Sequence, residues 1–277
     1  MWDEVAPRLL RGETTPTDPE TPMTQPKHLA LVLVTLTALL GGCAMEAPTT
    51  SGGADGALSG RPYFELWQAS NGDHYFHLSA ANHEIILSSQ GYDSRSAALS
   101  GVLSVLDNGE NPDRYEVRTA SNGQAYFVLK ARNGRVIGTS ELYASASSAR
   151  RGVAGVRRNV GEYLDFQANR TGARFDVFTG ADGRFYFNLH AGNGEIVLSS
   201  QGYAQESSAY NGAFSVAENG LDPDQYEVLE ASNGGYYFNL LASNGRVVGT
   251  SEVYASRGNA ERAIESVMDL CATVDIL

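Results

Sequence analysis

The last three quarters of this 277-residue chain consist of four copies of one short pattern. The copies align at a Tyr-Phe pair: Tyr75-Phe76-His77-Leu78, Tyr126-Phe127-Val128-Leu129, Tyr186-Phe187-Asn188-Leu189 and Tyr237-Phe238-Asn239-Leu240. They are spaced by 51, 60 and 51 residues. The first copy is most like the third: Leu87-Ser88-Ser89-Gln90-Gly91-Tyr92 returns as Leu198-Ser199-Ser200-Gln201-Gly202-Tyr203. The second is most like the fourth, Gly138-Thr139-Ser140-Glu141 returning as Gly249-Thr250-Ser251-Glu252. A two-copy unit was therefore itself duplicated. A chain of this kind must fold as repeated supersecondary units that bury their apolar faces against one another.

Each copy opens with a short alternating segment, such as Phe64-Glu65-Leu66-Trp67 or Phe175-Asp176-Val177-Phe178. An Asn-Gly or Asp-Gly pair follows: Asn71-Gly72, Asn122-Gly123, Asp182-Gly183 and Asn233-Gly234. Such pairs accept the positive φ of a type I′ turn and predict a hairpin into the Tyr-Phe strand. A second pair closes that strand in three copies; the first has Asn82-His83 instead, and because Asn tolerates the left-handed conformation more easily than His, that turn is expected to be slightly strained or of another type. A third strand follows, as in Glu84–Ser88. The period then changes. Ala98, Val102 and Val105, with Ala149, Val153 and Val156, Ala209, Ala213 and Val216, and Ala260, Ile264 and Val267, form helical stripes. Ser94, Ser145 and Ser256 are placed as N-caps, with Gln205 a poorer one. Gly101, Gly152, Gly212 and Ala263 leave room for close helix–sheet approach. Tyr163-Leu164-Asp165-Phe166 and Val274-Asp275-Ile276-Leu277 read as closing strands. The expected fold class is α+β: two tandem domains, residues 61–166 and 174–277 with a linker at 167–173. Each domain is a pair of β-β-β-α repeats with a closing strand, its antiparallel sheet covered by helices on one face. No single repeat buries enough to fold alone.

The Asn-Gly turns, the Tyr-Phe strand, the Ser-Ser-Gln-Gly-Tyr or Thr-Ser-Glu-Leu-Tyr segment and the serine-capped helix resemble the YegP-like family, small bacterial tandem-repeat proteins of uncharacterised function. The resemblance spans Pro62 to Leu277. It implies a two-repeat α+β domain with one sheet and exchanged terminal strands. It implies no activity and lends no catalytic residue. The family's basic residue after the helix cap is missing from copies two and three.

The N-terminus carries an address. Lys27 and His28 precede an apolar run from Leu29 to Leu40, which ends in Leu40-Gly41-Gly42-Cys43. Its 12 residues fall short of the roughly 20 a membrane-spanning helix needs. The pattern is that of a signal peptide, residues 23–42, and resembles the lipobox of bacterial lipoproteins, whose cysteine is acylated. Residues 1–22, acidic and proline-rich, read as a start-site extension or as an unusually long n-region. Residues 43–60 read as a lipidated flexible tether reaching roughly 20–25 Å. Cys43 would anchor the chain to membrane lipid through palmitate-type acylation, at the cell envelope. Ala44 is not an inner-membrane retention residue, so the expected address in a diderm cell is the outer membrane.

Charge bounds the partners. Arg61–Val160 holds 11 basic and 9 acidic residues, whereas Gly161–Leu277 holds 6 and 16. So acidic a chain is a poor match for nucleic acid. The unlike-charged halves leave self-association open. Arg150, Arg151, Arg157 and Arg158 share one helical face, either solvated or turned to anionic lipid or the acidic half. Enzyme signals are weak: His74, His77, His83 and His190 lack zinc-site context, no nucleophile elbow or phosphate loop occurs, and paired carboxylates could meet only through the fold. The sequence gives no catalytic residue, metal site or cofactor. Strand alternation puts Tyr75, Tyr126, Tyr186 and Tyr237 on the face away from the helices, with Trp67 and Phe178. That surface suits a glycan, peptide or envelope protein, unless the rings shield the sheet or pack between domains. The reading is a non-catalytic binding or structural lipoprotein; the alternative is an envelope enzyme acting on cell-wall material.

Overall fold

The computed structural model of the protein describes residues 60–277. The expected signal peptide at 23–42, Cys43 and the expected tether at 43–60 lie, up to residue 59, outside the described residues. Six strands form the first sheet: β1 (Tyr63–Gln68), β2 (His74–Ser79), β3 (Ile85–Ser88), β4 (Tyr115–Thr119), β5 (Ala125–Lys130) and β6 (Val136–Thr139). Helices α1 (Arg95–Asn108) and α2 (Ala146–Ala168) follow β3 and β6. The second half repeats the plan with β7 (Arg174–Thr179), β8 (Phe185–His190), β9 (Ile196–Ser199), α3 (Glu206–Asn219), β10 (Tyr226–Glu230), β11 (Tyr236–Leu241), β12 (Val247–Thr250) and α4 (Arg257–Cys271). The sheet orders are β1-β2-β3-β6-β5-β4 and β10-β11-β12-β9-β8-β7, antiparallel throughout. Each sheet is thus two β-meanders joined at a central seam, where Ser88 pairs with Thr139 and Thr250 with Ser199.

Turn chemistry differs from the expected type I′. Only the glycine of each Asn-Gly or Asp-Gly pair has positive φ, as at Gly72 (88°) and Gly183 (76°). Gly72 N–H bonds Ala69 O, and Ala69 N–H bonds Asp73 O. That is a type I turn closed by a left-handed glycine, the other common hairpin solution. The Asn side chain locks it, Asn71 Oδ1 accepting from Asp73 N–H at 3.0 Å. His83 sits at φ 65°, the one non-glycine with positive φ among the described residues. The expected strain is there, and the Tyr63 hydroxyl 3.2 Å from its Nδ1 holds it.

The covered faces match the alternation. Phe76, Leu78, Phe127, Leu129, Phe187, Leu189, Phe238 and Leu240 are fully buried beneath the helical stripes. In each repeat the strand phenylalanine stacks on the tyrosine that precedes the helix, Phe76 on Tyr92 at 6.1 Å and Phe187 on Tyr203 at 6.3 Å. A Cβ at Gly101 would lie 2.4 Å from Tyr92 Oη, and one at Gly212 2.3 Å from Tyr203 Oη. In the first three repeats glycine therefore lets the helix sit down on the ring pair, while the fourth carries Ala263 there. Ser94, Ser145 and Ser256 cap their helices, and Gln205 makes no side-chain cap bond.

Neither closing strand forms. Tyr163–Phe166 lies in the last turns of α2, which runs to Ala168, and Val274–Leu277 has no strand structure. Val156, Val160 and Tyr163 continue the helical stripe, and Tyr163 is buried edge-on against Phe64 at 5.2 Å. Helix therefore outcompetes strand there. Among the described residues no terminal strand is exchanged between the sheets; the last four residues instead bridge the halves. Leu277 packs against the first core while Ile276 packs in the second. Asp275 lies 3.7 Å from the Arg61 guanidinium, and its carbonyl accepts from Arg170 at 2.9 Å.

Helices α1 and α3 also join the halves, packed antiparallel. Arg95, at the start of α1, pairs with Glu218, near the end of α3, at 2.7 Å, and lies over the Phe214 ring. At the other end, burial and the nearby Asp107 push the Glu206 carboxyl up. Leu99, 1% exposed, is buried between them outside the sheet-facing core. The layers run sheet, helices, helices, sheet, so the two uncovered sheet faces point away from one another.

Two outcomes follow in thermal melts. Leu99→Ala should cost about 2–5 kcal/mol, and Leu99→Asp, which buries an unpaired carboxylate at the α1–α3 contact, should split one calorimetric transition into two. His83→Gly should gain up to about 1 kcal/mol, because a left-handed L-residue costs roughly 1–2 kcal/mol and glycine returns part of that in chain entropy. A fall in melting temperature would show that the Tyr63 contact outweighs the strain.

Candidate binding face

Each uncovered face is built from alternate strand positions. On the first sheet the register aligns one row across all six strands: Glu65, His77, Ser88, Thr139, Val128 and Glu116. The equivalent row on the second sheet is Asp176, Asn188, Ser199, Thr250, Asn239 and Glu227. The aromatic residues flank these rows. Trp67 stacks on Tyr75 at 5.8 Å, and His77 tilts against Trp67 at 4.4 Å. Phe178 stacks on Tyr186 at 5.8 Å and is 40% exposed. Tyr126 lies opposite Arg118, and Tyr237 opposite Leu229.

The six aromatics named from sequence thus share the uncovered side but do not form one site. They make one stacked pair and one lone tyrosine on each of two opposite faces. Within a face the two tyrosines lie at opposite corners, roughly 20 Å apart by strand spacing and rise. The uncovered faces take no part in the α1–α3 contact, so the rings do not pack between the halves.

Local chemistry distinguishes the faces. On the first, Glu116 accepts from Arg118 at 2.8 and 3.1 Å and also pairs with Lys130. These partners hold its carboxyl down at about 2. Val128 is 2% exposed in the middle of this cluster, so that end of the row is filled by ion pairs and aliphatic stems. Burial lowers the His77 pKa, with Glu65 opposing. The second face has no counterpart of the Glu116 cluster among the described residues, and its polar groups bond their neighbours on the sheet. Thr250 Oγ1 donates to Asn239 Oδ1 at 2.9 Å, and Tyr186 Oη donates to Asp182 Oδ2 at 2.9 Å. That bond is the main cause raising the Tyr186 pKa. At the seam a shallow depression is lined by Ser199, Gln201, Thr250 and Glu252 and rimmed by Ile196 and Val247, which are 45% and 39% exposed. His190 extends the face. Its Nδ1 is 3.0 Å from Gly194 O, while Nε2 is buried without a hydrogen bond, 3.8 Å from Asp176.

Strand alternation already placed Asn188 and Asn239 with the tyrosines. Ser199 and Thr250 could not be added from sequence, because their place depends on β9 pairing with β12. Alternation supplies the face, and the strand order supplies the row.

This architecture defines a class: a tandem-repeat α+β module with two open sheet faces. Matches to the domain of unknown function DUF1508 cover residues 69–116, 120–162, 181–227 and 231–277, and the chain belongs to that family. It is 47% identical over 95 residues to a UPF0339 protein of Pseudomonas aeruginosa, covering 34% of this chain and 86% of the relative. It is 45% identical over 97 residues to the UPF0339 protein YegP of Escherichia coli strain K12, covering 35% and 88%. These stretches have the length of one repeat pair, and this chain carries the pair twice. The solution structure of the E. coli protein of unknown function yegP aligns with a TM-score of 0.36 and 38% identity, covering 38% of this chain and 93% of that one. A UPF0339 protein of Shewanella oneidensis aligns with a TM-score of 0.35 and 34% identity, covering 38% and 91%.

Ring removal separates surface from core. Phe187→Ala should cost about 3–5 kcal/mol. Tyr186→Ala and Tyr75→Ala should each stay within about 1 kcal/mol, since partly exposed substitutions are usually mild. Paired thermal melts check this. Tyrosine variants that unfold as readily as Phe187→Ala would make these rings core and remove the face.

Proposed function

We propose that this protein is an envelope lipoprotein, anchored by acylated Cys43, that binds a flat, uncharged, hydroxyl-rich glycan without catalysing its turnover. The observation that carries the reading is the second sheet face. A stacked aromatic pair, exposed Phe178 and half-buried Tyr186, borders a cross-sheet row of amides and hydroxyls that opens at a seam depression. Sugar rings offer apolar faces to aromatic side chains and hydroxyls to amides, and such a row addresses both. Asp176, Asp182, Glu227 and Glu252 around it disfavour a polyanionic ligand. The anchor is supported by the Leu40-Gly41-Gly42-Cys43 sequence behind a basic and apolar leader. More than one acyl chain is needed for stable attachment. The tether would then hold the face within roughly 20–25 Å of the membrane. On this reading the outer membrane of a diderm cell is its address, and cell-wall glycan lies within reach.

The tests separate anchor from ligand. Cys43→Ser should move the protein from the membrane to the soluble fraction or leave its leader uncut, read by fractionation and intact mass. Retention on insoluble cell-wall glycan should fall at least about tenfold for Phe178→Ala with Tyr186→Ala, with little change in melting temperature. Such losses follow from interface energy concentrating in a few aromatic anchors. Equal retention of this folded variant would discard the glycan reading and leave the anchor standing.

A further inference from the structure

The four helices share a sheet-facing stripe, but they differ one residue further round. At the equivalent positions α1 carries Leu99, Leu103 and Leu106, and α3 carries Tyr210, Phe214 and Ala217. These are the residues that α1 and α3 turn toward each other inside the chain, and all are buried or half-buried. Helix α2 has Arg150, Ala154 and Arg157 there, with Arg151 and Arg158 beside them; α4 has Glu261, Glu265 and Met268, with Arg262 and Asp269 beside them, and stays net acidic. Arg150, Ala154, Glu261 and Glu265 are exposed. The duplicated unit thus offers the same helix surface four times. It is used twice, as an apolar pair, and left open twice, with opposite charge.

We propose that α2 of one copy of this chain docks on α4 of a second copy in the antiparallel manner of α1 on α3. The internal contact fixes the register. Arg95 opposite Glu218, with Asp107 opposite Glu206, brings Leu99 level with Phe214 and Leu103 level with Tyr210. The same register brings Arg150 level with Glu265 and Ala154 level with Glu261, and it leaves Arg157 one turn from Glu261. It also sets Asp269 near the N-terminus of α2, where the helix dipole favours a negative charge. Arg262 comes within one turn of Arg150 and Arg157 while bonded to Asn259 of its own helix, and a further like-charge approach brings Arg158 to Arg257. Each of the last two is already paired within its own helix, with Glu162 at 3.8 Å and Glu261 at 3.5 Å. Ala154 leaves room between the helices for the longer charged side chains. The charge asymmetry of the halves acts in the same direction, 11 basic against 9 acidic residues in the first and 6 against 16 in the second. Contact between unlike faces is heterologous, so each added copy presents a fresh α2 or α4 to the next. Exposed ion pairs make such an association weak and salt-sensitive.

Sedimentation velocity of the full chain in mild detergent tests this by charge swap. Wild type should grow in size with concentration at about 0.01 M salt and return to monomer at about 1 M, where the screening length falls from roughly 30 to 3 Å. Glu261→Arg with Glu265→Arg makes both helices basic, and Arg150→Glu with Ala154→Glu makes both acidic. Each variant alone should associate at least about tenfold more weakly than wild type, through like-charge repulsion. An equimolar mixture should recover association, since the basic α2 of one variant meets the acidic α4 of the other. Circular dichroism confirms that both variants are folded. A monomeric wild type at low salt, variants that associate as wild type does, or a mixture that stays monomeric would each overturn the proposal.

Discussion

Everything in this fold hangs on one contact made four times: a strand phenylalanine stacked on the tyrosine that precedes the helix, with a small residue, glycine in three repeats and alanine in the fourth, in the helix above. The ring pair is the tallest object on the covered face, so it sets how closely the helix approaches. In the first three repeats the interplanar angle is 18–22° and the helix residue is glycine. The fourth repeat carries Ala263, and there Phe238 and Tyr254 lie nearly parallel, at 3°. A methyl group on the helix goes with a flatter stack beneath it. The same tyrosine also bridges back to the first residue of the middle strand of its own meander, as Tyr92 does to His74 and Tyr254 to Tyr236. One residue therefore ties helix, sheet and loop together, and a repeat can change its exterior freely while this joint is kept.

Much of this was legible in the sequence because the signals are local and repeated. Four copies of a two-residue alternation, a glycine turn and a helical stripe left little freedom about which side of each strand faces inward. The strain at His83 was legible too, since a side chain stands where the other copies have glycine. Readings that depended on partners distant in sequence fared worse. Tyr163-Leu164-Asp165-Phe166 has an apolar run short enough for a strand, yet Val156, Val160 and Tyr163 already continued the helical stripe. No glycine or proline interrupts α2 between Gly161 and Ala168. The turn type was misread because Asn-Gly serves both solutions. The Asx bond from Asn71 to Asp73 favours the one in which Asn keeps negative φ.

The join between the halves was the larger omission, although its signal was available. Leu99, Leu103 and Leu106, and then Tyr210, Phe214 and Ala217, form a second stripe beside the sheet-facing one. A helix apolar over so wide an arc is covered on more than one side. Reading the odd helices beside the even ones reveals it, because the even helices carry arginine or glutamate at those positions. The tail is harder to foresee. Nothing local in Val274–Leu277 tells that Leu277 belongs to the first core, a placement that rests on Asp275 being held by Arg61 and Arg170.

Duplication also explains how the two outer faces came to differ without disturbing the fold. A covered position is constrained by a helix, a ring pair and a neighbouring strand at once, whereas an uncovered one touches only its neighbours on the sheet. Val128 and Asn239 occupy equivalent places in their sheets, as do Glu116 and Glu227. In the first sheet Lys130 and Arg118 gather on Glu116 and close over Val128. In the second, Leu241 and Leu229 stand where Lys130 and Arg118 do, Glu227 has no ion pair among the described residues, and Asn239 bonds Thr250 instead. Two substitutions at the rim thus decide whether the row is locked by ion pairs or left as a ladder of hydrogen-bonding groups. The first sheet ties its polar rim into ion pairs, and the second holds its rim by neutral hydrogen bonds and leaves Glu227 without a cation among the described residues. That places the stronger case for recognition on the acidic half, although the larger aromatic, Trp67, belongs to the other.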